Sequence, residues 1–247
     1  MSAATAIGRS LRIYYGDPAR AGALDTLYGP FLRPGDLAFD IGAHVGDRTA
    51  SFRRLGARVV ALEPQPACFR ALRLIHGRDA DVTLVRAAAG DAPGEVRLSV
   101  NSANPTVSTA SSDFVAAAAG AEGWADQSWD REIVVPCLDL GGLIHAHGLP
   151  AFVKIDVEGF EDRVLAGLPT PVAALSFEFT TIARNVAHRC LTRLVTLANY
   201  RFALSLGESS RLEHPTWVSA AEMAATLDAL PRSANSGDVY ATLTPPS

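Results

Sequence analysis

Seven residues of this 247-residue chain could do chemistry as a group. Asp40, Gly42, Gly46 and Glu63 come early; Lys154, Asp156 and Glu158 come late. The early set reads Asp40-Ile-Gly42-Ala-His44-Val-Gly46, with Glu63 placed 21 residues after Gly42. Glycines at such a turn let the backbone approach a ligand where no side chain would fit, and a helix starting behind them offers unpaired N–H groups. An acid at that distance, closing the next strand, is where a nucleotide-binding βαβ unit puts a carboxylate on ribose hydroxyls. The spacing predicts a pocket for an adenosine-like ligand. A plain capping role for Asp40 and a solvated strand end at Glu63 would leave the joint spacing unexplained.

Charge narrows the ligand. A dinucleotide site uses G-x-G-x-x-G to bring a pyrophosphate against the helix; here the third glycine is missing and Asp40 stands beside the turn. Two like charges roughly 4 Å apart at an effective dielectric near 20 repel by about 4 kcal/mol. S-adenosylmethionine avoids the conflict, because its sulfonium and amino groups are cationic and it carries no phosphate. His44, within the loop, is read as a donor to the ligand or, alternatively, as an acid/base.

The late set, Lys154-Ile-Asp156-Val-Glu158-Gly159, alternates charged and apolar residues. A parallel strand buried on both faces expels charge, so these side chains are expected at its open end, beside the methyl group of the donor. Methyl transfer is an in-line displacement in which positioning supplies much of the rate and a base takes the hydroxyl proton as the new bond forms. Asp156 and Glu158 are the candidates, one to orient the acceptor and one to take the proton, with Lys154 pairing to the carboxylates. The alternatives are a structural ion pair that fixes the loop, or a divalent cation held by Asp156, Glu158 and Glu178. Residue types alone do not make a coordination shell, and no metal is assigned.

These residues need a scaffold. Apolar runs and breaks predict strands at 37–41, 58–62, 82–89, 151–157 and 172–179, helices at 47–55, 66–77, 138–147, 160–168 and 187–199, then strands at 200–206 and 238–243 around a helix at 220–230. This is an α/β chain with a mostly parallel sheet, an antiparallel edge and helices on both faces. Asp91, after the third strand, is a candidate partner for the adenine amino group or an ordinary turn aspartate. Residues 94–100 and 132–138 alternate like an antiparallel pair, and the long segment 101–131 between them is read as the acceptor-binding insertion. Its Trp124 and Trp129 could stack on an acceptor or simply pack. Residues 1–36 form either a helix on the sheet edge or a lid over the ligand. The two histidines at 145 and 147 do not share a helix face, which argues against a metal pair. No repeat or linker is visible, so a single domain over 1–247 is expected.

Composition sets outer limits. With 48% hydrophobic and 19% charged residues the chain can bury a full core, and a net charge of −4 gives no general attraction to nucleic acid or anionic membrane. Cys68, Cys137 and Cys190 are far apart, without a C-x-x-C spacing, which suits a reducing cytoplasm. The expected partner is a small hydroxylated acceptor, with homo-oligomerisation left open.

The run Asp40 to Gly46, the pair Glu63-Pro64, the run Lys154 to Gly159, and Glu178 resemble, in order and spacing, the FkbM-type S-adenosylmethionine-dependent methyltransferases. The likeness covers roughly residues 35–180. It implies a Rossmann-like seven-stranded fold and O-methylation of a hydroxyl on a sugar, polyketide or related metabolite. Two positions depart from the family: His44 stands where Asn is common, and Asp47 where a more hydrophobic or aromatic residue is frequent. The rival readings are an NAD(P)-dependent oxidoreductase and a non-catalytic cofactor-binding member.

Overall fold

The computed structural model describes residues 3–213 and 216–246. Two helices, α1 (Ala3–Tyr15) and α2 (Pro18–Tyr28), precede β1 (Leu37–Ile41), α3 (Asp47–Arg54), β2 (Arg58–Leu62), α4 (Pro66–His76) and β3 (Val82–Val85). The middle of the chain contributes β4 (Ala88–Gly90), β5 (Gly94–Val100), α5 (Ser112–Ala118), β6 (Arg131–Asp139) and α6 (Leu140–His147). It continues with β7 (Phe152–Ile155), α7 (Glu161–Ala166), β8 (Ala174–Thr180), α8 (Arg184–Leu197), β9 (Arg201–Leu206), α9 (Ala220–Ala229) and β10 (Ser236–Thr242).

Seven strands form the main sheet in the order β3-β2-β1-β7-β8-β10-β9, and β10 runs antiparallel to both of its neighbours. The expected Rossmann-like α/β sheet is present, with the antiparallel strand one place in from the edge. The order reverses between β1 and β7, so their carboxyl ends flank the crevice in which such sheets bind ligands.

Side-chain alternation splits the core in two. Leu37, Phe39 and Ile41 of β1, with Val153 and Ile155 of β7, face one apolar cluster; Ala38 and Phe152 face the other. The second face also carries a buried polar row, in which Asp40 is in register with Lys154 and Lys154 with Ser176.

The strand expected over 82–89 is two. β3 ends at Val85, and β4 joins β6 and β5 in a separate three-stranded sheet, where β5 and β6 pair antiparallel as the alternation predicts. The segment between them carries α5, capped by the Ser111 hydroxyl accepting from the Phe114 N–H. Among the described residues no helix is long and apolar enough to cross a membrane, and all three cysteines are buried free thiols.

Candidate active site

A cavity opens at the carboxyl ends of β1, β2 and β7. Its floor is the β1–α3 loop. Gly42 and Gly46 have φ of 83° and 86°, in the left-handed region. A Cβ on Gly42 would sit 1.8 Å from the Asp156 carbonyl oxygen, so only glycine lets this loop lie against the end of β7. His44 also has a positive φ, 50°. Asn and His are among the non-glycine residues that tolerate that region, which explains how His fits this position without rebuilding the loop.

Each acid of the early set has a defined partner. Asp40, buried on β1, accepts from the Thr49 hydroxyl at 2.5 Å. Burial pushes its carboxyl up to about 6 against the pull of that hydrogen bond. Glu63 accepts the His44 N–H on Oε2 at 2.9 Å and the Gln65 N–H on Oε1 at 2.7 Å. Burial outweighs these donors and raises its carboxyl to about 8. The His44 ring packs edge-on against Tyr14 and lies 2.9 Å from the Ser10 hydroxyl through Nε2, so α1 covers this loop. Burial lowers the pKa of that imidazole.

Lys154, Asp156 and Glu158 come together at the end of β7, with one difference from expectation. Lys154 is not at the open end: it is 1% exposed within the sheet, its Nζ 2.8 Å from Asp238 of β10 and 3.2 Å from Asp156. Its charge is tolerated inside because the polar row of the second face supplies those two carboxylates. Asp156, one third exposed, opens onto the cavity. Glu158 is 5% exposed and has a φ of 56°. Glu161 holds this turn by accepting the Val157 N–H at 3.0 Å and the Gly159 N–H at 3.0 Å, while the Thr109 hydroxyl donates to the Glu158 carbonyl at 2.6 Å. Burial, and then the charge of Asp156, push the carboxyls of Glu158 and Glu178 well above the usual range.

Asp91 is not in this group. Because β4 leaves the main sheet, the chain turns away after Gly90, and Asp91 pairs with Arg163 at 3.1 Å outside the cavity. Ala87, Ala88 and Ala89 line the cavity in its place. The tryptophans are likewise committed to packing. Both stand edge-on to Phe114, and their indole N–H groups donate to the Asn235 side chain and the Val107 carbonyl. The insertion instead presents Thr106, Ser108 and Ala110 to the cavity.

Two lining residues lie beyond the reach of sequence reasoning. Glu208, just past β9, bridges Arg20 at 2.7 Å and Arg48 at 3.1 Å, while Asp47 meets the same arginines at 3.1 and 2.5 Å. The two guanidiniums, together with the hydrogen bonds they donate, outweigh desolvation and hold the Glu208 carboxyl down at about 2. This cluster explains the polar Asp47. Tyr14, the other lining residue, carries the Arg20 guanidinium 5.0 Å from its ring centroid.

Fold and cavity fit a nucleoside bearing positive charge. Six carboxylates and two cationic side chains line the cavity. Glu63 spends one lone pair of each oxygen on the backbone, and a carboxylate has about four such sites, so acceptors remain for ribose hydroxyls. These features define an S-adenosylmethionine-dependent methyltransferase.

The sequence model described as the methyltransferase FkbM domain matches residues 40–202. The chain belongs to this family. No curated protein matches it in sequence. Solved structures similar in outline include an O-methyltransferase from Bacillus cereus in complex with SAH, with 11% identity, 97% of this chain and 91% of that chain covered and a TM-score of 0.48. A precorrin-6y C5,15-methyltransferase from Geobacter metallireducens gives 15% identity, 91% and 87% coverage and a TM-score of 0.44. An rRNA methylase from Streptococcus thermophilus gives 9%, 88%, 92% and 0.43. Their names state different targets, and the matched domain shows the family.

Proposed function

We propose that the protein methylates a hydroxyl of a small metabolite or sugar, with Asp156 as the proton acceptor. The observation that carries this reading is the placement of Asp156: one third exposed, oriented by Lys154, and directly behind the Gly42 turn. S-adenosylmethionine, when bound, supplies an electrophilic methyl group. Asp156 takes the acceptor's proton as the oxygen–carbon bond forms and the carbon–sulfur bond breaks, its electron pair remaining on sulfur. Glu158 orients the acceptor from the same turn, and Thr106 and Ser108 offer hydroxyls to a hydroxylated molecule. A cavity whose charged lining is mainly acidic disfavours a phosphate backbone, which supports a small acceptor over nucleic acid. The same acids disfavour a nicotinamide dinucleotide, and three buried free thiols support a reducing compartment.

Screening sugars and polyketide alcohols for release of S-adenosylhomocysteine tests this directly. Asp156→Asn is expected to lower kcat on any accepted alcohol by about 10²- to 10⁴-fold, the usual contribution of a general base, with S-adenosylhomocysteine Kd unchanged. Full turnover in that variant, or calorimetric preference for NAD⁺, would sink the proposal.

A further inference from the structure

The ends of β7 and β8 gather more carboxyl groups than the described side chains pair. Asp156, Glu158 and Glu178 each offer a carboxylate oxygen within 4.8 Å of the other two. The cation at hand is Lys154, and it is divided between Asp156 and Asp238. Glu158, 5% exposed, accepts no hydrogen bond and joins no ion pair through its carboxylate among the described residues. The Oε2 atom of Glu178 is closed off from solvent and also lacks a donor. Removing an ionised carboxylate from water without a partner is strongly unfavourable. Two such groups aimed at one point, with a third beside them, call for a positive occupant.

We infer that Asp156, Glu158 and Glu178 bind a hard divalent cation, Mg²⁺ or Mn²⁺ in class, at the acceptor end of the cavity. Carboxylate oxygens are the ligands such ions select, and these ions keep several positions for water or substrate oxygen. Asp156 and Glu158 open onto the cavity, and Glu178 approaches them from β8. Three strands and loops fix the ligands: Glu178 by its pairing opposite Asp238 on β10, Glu158 by the Glu161 and Thr109 hydrogen bonds. A hydroxyl beside a divalent cation gives up its proton more readily, and since each ligand offers the ion one oxygen, the second oxygen of Asp156 is the one that takes that proton. That role, unlike the binding itself, rests on the O-methylation reading.

The full chain, stripped with EDTA and returned to chelator-free buffer, is titrated with Mn²⁺ while the free ion is followed by electron paramagnetic resonance. One Mn²⁺ per chain is expected, competed by Mg²⁺, with affinity at least tenfold weaker in Glu178→Gln and in Glu158→Gln. Circular dichroism and S-adenosylhomocysteine binding confirm that the variants are folded. No uptake by the wild type, or uptake indifferent to both substitutions, overturns the site. Higher melting temperatures in the variants without wild-type uptake overturn it too, since protons would then be the neutralising charge. With the site established, turnover of an accepted alcohol that persists in excess EDTA removes the role given to the cation. Bound Mn²⁺ without turnover on any alcohol instead overturns the O-methylation reading and leaves the site standing.

Discussion

At the ends of β1 and β2 the buried acids are met by nearby donors: Asp40 by the Thr49 hydroxyl, Glu63 by two backbone N–H groups. At the ends of β7, β8 and β10 one buried lysine serves two aspartates, and among the described residues no donor reaches Glu178 Oε2 or the Glu158 carboxylate. The first region is locally complete and can receive a ligand with little rearrangement. The second depends on contacts between strands far apart in sequence, and its remaining charge is available to whatever docks there. A satisfied acid serves as a fixed acceptor, whereas an unsatisfied one holds free energy that a bound group can recover.

Removing the shared cation should separate the two regions most sharply. Lys154→Met leaves Asp238 and Asp156 unpaired, and breaking a buried pair typically costs about 3–5 kcal/mol. Urea unfolding should report a loss of that size, and a loss below about 1 kcal/mol would mean that this end of the sheet is as self-sufficient as the other.

Glu63→Ala should act on binding. Loss of charge-assisted hydrogen bonds to the ribose weakens S-adenosylhomocysteine by about 1–3 kcal/mol, measured by calorimetry. Unchanged affinity would remove Glu63 from the pocket.

The pH dependence of the ligand-free protein follows from the same residue. A carboxyl raised to about 8 in the fold stays protonated while its unfolded counterpart ionises near the ordinary 4.5. Between those values the folded state binds more protons, so stability falls as pH rises through the window. The melting temperature of Glu63→Gln relative to wild type should therefore climb from pH 5 to pH 8, and a flat difference would contradict the shift.

The smallest effect is expected in the insertion. Trp124→Phe removes the hydrogen bond to Asn235 and should cost about 1 kcal/mol of stability, leaving the KM for an accepted alcohol unchanged. A large KM effect would return the tryptophan to the acceptor site.

The early region was legible because its parts are contiguous: strand, glycine turn, helix, strand and acid occupy residues 37–63, and each leaves a local mark in residue type and period. The late region was half legible. Lys154, Asp156 and Glu158 stand out within one strand and its turn, but Asp238 lies 84 residues from the lysine it pairs with, and Glu208 lies 160 from Arg48. Charge alternation placed Lys154 at the strand's open end, because nothing in its own segment shows that a distant antiparallel strand brings it a counter-charge. The choice between the two readings of Asp91 was out of reach for a related reason: the departure of β4 into a second sheet is decided by β6, more than forty residues later.

The carbonyl of Asp156 occupies the space a side chain on Gly42 would need, so the glycine turn and the end of β7 share a common wall. Neither can shift without carrying the other along. In methyl transfer, where a misplacement of about 1 Å can cost a hundredfold in rate, this contact acts as a ruler built into the backbone, holding the two loops at one fixed spacing.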